Sequence, residues 1–453
     1  MSVRGKLFAV ITVLAVSVPA CSGAQDSAPL ERAGDRALLA ELIQRIRDGE
    51  FTDIHSVLVL VNDTLAVEEY FDGHDAATPH QLRSATKAIG SILVGIAIDK
   101  GFLSSEDDSI YRYFEQEYRP AYGWTAAASA IRIRDLLSMT SGYDCDDLAT
   151  PAFACEDAMY ETDDWVQYAL DLPIVHARGE HWAYNSPSLI LVGQAIATTS
   201  GTSLAAFAEQ HLFAPLGITT LEWATSPGGH AWVGGGARAT ARDMLKIGQL
   251  MLHRGVWGDR RLLSERWVEV STRPQAEYHA GVEYGYIWQI GAFFQAGKPV
   301  PAYWASGNGG QYIVIFPDHD MVAVFTGGNY ESPLANQPFE MIDDYILPAL
   351  LGATAPPTAT LSNGELERVV GVYHLDFAPE ATCTVDLDDA GVSVMTPDGE
   401  RVELRAHSPI WFSGDSQYGT INLVFEQDQV GRASMLTVYG HGSRFVFERM
   451  DER

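Results

Sequence analysis

Ser84 and Lys87 stand three residues apart in Arg83-Ser84-Ala85-Thr86-Lys87, at the head of the run 88–100. Apolar residues at Ile89, Leu93 and Ile96 recur at helical spacing, so the run reads as a largely buried helix starting at Ser84. Residues three apart on a helix share a face, which sets the lysine amine beside the serine hydroxyl. An amine so placed can activate an otherwise weak nucleophile. Apolar surroundings favour an uncharged amine, able to take the hydroxyl proton. The helix start adds unpaired N–H groups next to the serine. The same four residues also occur as a helix cap followed by an ordinary lysine, so the rest of the chain has to decide.

The elements around this stretch come from both ends of the sequence. Residues 56–62 and 64–70 are β-like runs joined by a tight turn at Asn62-Asp63. A short helical pattern at 38–46 precedes them. The stretch from about 101 to 270 is mostly helical, with segments at 131–137, 186–198, 204–212, 240–252 and 263–271. Strand patterns return at 284–292, 311–316 and 321–327, and a helix at 338–351 closes the unit. The expected fold is α/β (α+β): an antiparallel sheet flanked by helices, with a helical domain inserted and a cleft between them. It spans 36–352. A linker at 353–363 leads to about eight short alternating runs in 364–453, read as a small β-barrel or sandwich with a bracing role.

Composition narrows the partners. The 453 residues include 30 basic and 59 acidic ones, for a net charge of -29. Residues 1–20 read as a signal peptide, with Arg4 and Lys6 before a short apolar run that ends at Pro19-Ala20-Cys21. Removing it takes away Arg4 and Lys6 and no acid, moving the net charge from -29 to -31. Such a field repels nucleic acid and anionic headgroups. The leader resembles a bacterial lipoprotein signal with Cys21 as the lipidated residue. Membrane contact is therefore expected only through a lipid on Cys21, with residues 21–35 as a tether and the protein facing the periplasm. Simple cleavage and secretion is the alternative. Cys145 and Cys155 bracket a short polar loop and could pair in an oxidising compartment. The acidic segment 144–164 lacks the regular spacing of a calcium loop and reads as a solvated, mobile flap. The glycine-rich stretch 228–236 matches no phosphate-binding fingerprint. No cysteine spacing suggests a metal site.

With this layout in place, residues 52–350 resemble the penicillin-binding and serine β-lactamase superfamily. The similarity is to the branch with class C β-lactamases, DD-peptidases, family VIII esterases and 6-aminohexanoate-dimer hydrolases. Ser84-Ala-Thr-Lys87 is the first signature. Leu136-Leu-Ser-Met-Thr-Ser-Gly142, Pro215-Leu-Gly-Ile218 and Thr240-Ala-Arg-Asp-Met244 are weaker signposts in the expected order. The resemblance implies Ser84 as nucleophile, with Lys87 and Tyr184 sharing the proton transfers, and no metal or organic cofactor.

Two departures bear on the substrate. The second signature, usually Tyr-x-Asn, reads Tyr184-Asn185-Ser186, and a hydroxyl cannot supply both the donors and the acceptor of a carboxamide. The third, usually Lys-Thr-Gly or His-x-Gly, falls near Ala305-Ser306-Gly307 with no basic residue to clamp a carboxylate. Both argue against a true β-lactamase or carboxypeptidase. The Gly309-Gly310-Gln311 end resembles the esterase side, with glycines allowing close approach of a ligand at Gly310. An N–H near Gln311 is the expected second oxyanion donor beside that of Ser84. Trp182, Trp304 and Tyr303 are placed either along an acyl pocket or in the core. The expected activity is two-step acyl transfer on a small ester or amide. Its rivals are a β-lactamase-like activity and a catalytically idle surface-binding protein. His181 has no nucleophile elbow to serve as a triad partner.

Overall fold

The runs near 56–70 form a hairpin of β1 (Ile54–Val61) and β2 (Thr64–Tyr70) in the computed structural model of the chain. Residues 33–149, 154–279, 281–352, 357–375, 378–417 and 419–450 are described. The expected signal peptide and Cys21 lie outside them. Helix α1 (Ala33–Arg47) begins inside the segment expected to be a tether.

β1 is buried along almost its whole length because strands flank it on both sides and helices cover both faces. The strands that follow are β3 (His80–Gln81), β4 (Arg238–Ala239), the small hairpin β5 (Val256–Trp257) and β6 (Arg260–Arg261), then β7 (Ala276–His279) and β8 (Val282–Tyr284). β9 (Gln289–Gln295), β10 (Lys298–Gly307), β11 (Gln311–Phe316) and β12 (Met321–Gly327) complete the unit. The main sheet runs β2-β1-β12-β11-β10-β9-β8-β7, with Val57 opposite Phe325 joining the two ends of the sequence.

The period-two alternation of strand side chains divides the core into two layers. Leu58, Leu60, Ile313, Ile315, Val322 and Val324 face α2 (Thr86–Asp99) and the inserted helical region. Val57, Val59, Val314, Phe316, Ala323 and Phe325 face α1 and the helices after β12. α2 is buried from Thr86 to Ala97, as a mostly apolar helix between two layers must be. The expected strand 284–292 is two strands, because Ile287 takes φ 77° and breaks the run between Tyr284 and Gln289. The closing helix is interrupted by a π turn at Ile342–Ile346.

Residues 371–449 form a nine-stranded antiparallel sheet that curls into a nearly closed barrel, its first strand Gly371–Leu375 pairing with the last, Ser443–Arg449. The expected run at 401–406 splits into Arg401–Glu403 and Arg405–Ser408. The barrel rests on β9: Ala292 N–H donates to Gly442 O at 3.0 Å, and Phe294 packs against Trp411 and Tyr439. At this contact the His441 N–H donates to Asp343 Oδ2 at 3.2 Å. Burial, with Asp344 beside it, pushes the Asp343 carboxyl up to about 8. A carboxyl raised in the folded state contributes stability that is full below its unfolded value and is lost as pH rises through the folded one. Asp343→Asn keeps an acceptor for His441. It is expected to flatten the loss of stability between about pH 4 and pH 8, read by urea denaturation at each pH. Equal slopes for the two proteins would contradict this.

Candidate active site

Ser84 sits in a 3₁₀ turn, Arg83–Ala85, that runs straight into α2. The turn is held from outside the helix: Leu82 N–H donates to Ala237 O at 2.8 Å, and Ala237 N–H to Thr86 Oγ1 at 3.2 Å. Lys87, one turn on, is 1% exposed. Its Nζ donates to Ser84 Oγ at 2.9 Å and to Gly234 O, and lies 4.8 Å from the Tyr184 ring centroid. Ser84, Lys87 and Tyr184 therefore meet at one point. They line a small polar cavity of about 10 Å³ with Tyr284, Ile287, Gln289, Ala305 and Ser306.

The third segment reaches this cavity in a different way from that expected. The ladder between β10 and β9 stops at Trp304 opposite Gln289, and Ala305 and Ser306 continue along the cavity. Gly307 packs directly on the serine turn: a Cβ there would lie 2.2 Å from Leu82 O and 3.2 Å from Ala85 N. Gln311 is fully buried and does not line the cavity. Its carboxamide is tied to Gly327, donating to the carbonyl at 2.7 Å. Gly310 takes φ 94° in the β10–β11 turn, so its freedom serves the hairpin and not a ligand. Trp304 points to the opposite face of the sheet and packs on Phe293 and Phe339. Tyr303 is in the core against Trp288. Alternation thus sends Trp304 to the far side of the sheet, whereas Tyr303 shares the face of Ala305 but is taken up by the core there.

Trp182 stays close, edge-on to Tyr278 and Tyr284 and 6.0 Å from Tyr184. Ser186 is fully buried behind Tyr184 and is not part of the lining. His181 is exposed and stacks near His176.

The acidic segment is solvated along much of its length, with Asp144, Asp157, Glu161, Asp163 and Asp164 exposed, but not throughout. Asp147 is fully buried and its carboxylate accepts the N–H of Ser186 at 2.8 Å and of Glu156 at 3.2 Å. Asp146 accepts the N–H of Tyr184 at 3.2 Å, and Asp147 N–H donates to Tyr184 O at 2.7 Å. Cys145 and Cys155 form a disulfide across the segment, their Cα atoms 5.8 Å apart. Two aspartates thus fix the loop that carries Tyr184. Burial raises the Asp147 carboxyl above its ordinary range, opposed by hydrogen bonding from Ser186 and then by the Lys87 charge. The Glu156 carboxyl is also raised by burial and drawn back by Lys87. Lys87 is thereby set among two acidic groups and the Gly234 carbonyl.

Arg83 and Ile287 flank the cavity in left-handed backbone, at φ 50° and 77°. Such conformations are costly, most of all for a β-branched residue, and persist where surrounding structure imposes them. The Arg83 guanidinium lies over the Tyr330 ring at 4.8 Å, and its Nε is buried without a hydrogen-bond partner.

The sequence model of the beta-lactamase family matches residues 44–338. The chain belongs to the beta-lactamase family. No curated protein matches it. Among solved structures, this beta-lactamase family member is similar to a Bacillus anthracis protein assigned as a 6-aminohexanoate-dimer hydrolase. The TM-score is 0.57 at 19% identity, covering 68% of this chain and 83% of that one. It is also similar to SurE, at TM-score 0.53 and 19% identity over 92% of this chain and 99% of that one. The octameric penicillin-binding protein homologue of Pyrococcus abyssi gives TM-score 0.53 and 16% identity, over 91% and 99% of the two chains. The last two alignments extend across the barrel as well as the sheet.

Proposed function

We propose that this protein is a serine hydrolase that cleaves a small ester or amide through an acyl-enzyme on Ser84. Membership of the beta-lactamase family supports hydrolysis of small esters or amides as the general activity. The observation that carries the finer reading is the 2.9 Å contact of Lys87 Nζ with Ser84 Oγ at a cavity shared with Tyr184. In the first step Lys87, with Tyr184, draws the proton from Ser84 Oγ as the oxygen attacks the carbonyl carbon. The developing oxyanion takes hydrogen bonds from the Ser84 N–H and from an N–H of the Ala305-Ser306 segment, in place of Gln311. Tyr184 or Lys87 returns the proton to the leaving alcohol or amine. Water then releases the acyl group through the same groups in reverse.

The absence of a basic residue from Ala305-Ser306-Gly307 and the withdrawal of Ser186 from the cavity favour an ester or amide over a β-lactam. Intact mass after treatment with a fluorophosphonate, alongside a short-chain p-nitrophenyl ester assay, tests the reading. One adduct on the wild type, absent from Ser84→Ala with turnover lost in parallel, is the expected result. No adduct and no turnover would shift the reading to a catalytically idle surface-binding protein.

A further inference from the structure

Three histidines from separate stretches converge beyond the active site: His55 on β1, His74 in the turn after β2, and His80 on β3. One ring nitrogen from each lies within 4.8 Å of the other two. The rings of His55 and His74 stack with centroids 4.0 Å apart and planes at 14°, and those of His55 and His80 are 5.1 Å apart. Asp53 and Asp72 stand beside them, each offering a carboxylate oxygen within 4.8 Å of a His55 ring nitrogen.

The hydrogen bonds of the two outer rings are those that prepare an imidazole to ligate. His74 Nδ1 faces Phe71 O at 3.2 Å and His80 Nδ1 faces Gln81 O at 3.2 Å. Each carbonyl holds the proton on Nδ1 and leaves Nε2 as a bare lone pair, the arrangement in which a metal-bound histidine is oriented by a backbone acceptor. His80 Nε2 is then met by His55 Nδ1 at 2.8 Å.

We propose that His55, His74 and His80, with Asp72 or Asp53 as fourth ligand, form a binding site for one zinc-class divalent ion. Imidazole and carboxylate donors in a set of four suit zinc, with nitrogens about 2.0–2.1 Å from the metal. On binding, the His55 proton passes from Nδ1 to Nε2, so all three rings remain neutral and no net proton is released. The His55 and His80 nitrogens separate from 2.8 Å to about 3.3 Å, as tetrahedral geometry at that bond length requires, and the His74 ring turns out of its stack on His55 so that both lone pairs meet one ion. The strongly acidic chain raises the local concentration of cations. The site ties the β1–β2 hairpin to β3, four residues before Ser84, so the ion acts as a clip on the segment leading to the serine turn.

The test uses the tag-free chain after chelator treatment, titrated with Zn²⁺ against a chromophoric indicator, with Co²⁺ absorption as a second readout. Uptake of one equivalent per chain, visible ligand-field bands with Co²⁺ and a rise in Tm of several degrees are expected. His74→Gln, at a half-exposed position that tolerates the change, and His55→Gln should each weaken uptake by about 100-fold or more and abolish the bands. Circular dichroism of both variants without metal checks that the fold is kept. No stoichiometric uptake by the wild type, or one equivalent that survives both substitutions, would overturn the site.

Discussion

Lys87→Met is expected to reduce ester turnover by about 10³-fold or more while the protein remains folded. Methionine fills the buried channel of the lysine stem, so packing is largely kept. What disappears is the only group seen hydrogen-bonding to Ser84 Oγ among the described residues, and with it the proton acceptor of the proposed first step. Fluorophosphonate labelling of Ser84 should slow in parallel, since it needs the same activation. The substitution also leaves the Gly234 carbonyl without its amine partner, so thermal melts beside the assay separate any loss of stability from the loss of chemistry. Full ester turnover in a folded Lys87→Met protein would remove Lys87 from the mechanism.

Part of this site is legible in the sequence because its members carry their own local signals. Ser84 and Lys87 share one helix, and Tyr184 follows in family order. The sheet is legible because the runs near 56–62, 311–316 and 321–327 are continuous apolar stretches of strand length, which pair with one another. The supports are hidden for physical reasons. The Gly234 carbonyl is a backbone group on a glycine loop, and no side-chain pattern marks an acceptor. Asp147 lies in a segment whose average polarity reads as solvated, and only the fold shows that one carboxylate of the set is sealed in to hold two N–H groups. Trp304 stands next to the third motif, which leaves pocket and core equally open in the sequence, and only the alternation along β10 decides for the core. Pro299 and Pro301 disguise β10 itself, since proline weakens any strand pattern. The histidine cluster draws single residues from three elements, with no spacing to betray it.

Gly307→Ala is expected to lower kcat/KM by about 10²-fold, for a reason confined to backbone spacing. The glycine is not there for its conformation, as its φ lies outside the left-handed region. It is there because an added Cβ would stand 2.2 Å from Leu82 O, the carbonyl that accepts the Ala85 N–H at 3.1 Å and so closes the serine turn. The neighbour is backbone and cannot swing aside. Strand β10 and the turn must separate, carrying Ser84 Oγ away from the Ala305-Ser306 wall while Lys87 stays anchored to Gly234. Overpacking of this kind costs about 1–3 kcal/mol of stability, small beside the effect on a geometry needed to a fraction of an ångström. Gly310→Ala supplies the comparison. At φ 94° it strains the β10–β11 turn, but its Cβ meets nothing nearer than Ala335 O at 3.4 Å. It should therefore lower Tm with much less effect on turnover. If Gly307→Ala and Gly310→Ala lose activity only in proportion to their loss of stability, the close approach of β10 to the serine turn is a packing contact. A loss in Gly307→Ala far beyond its change in Tm makes that approach the element that sets the nucleophile against its oxyanion donors.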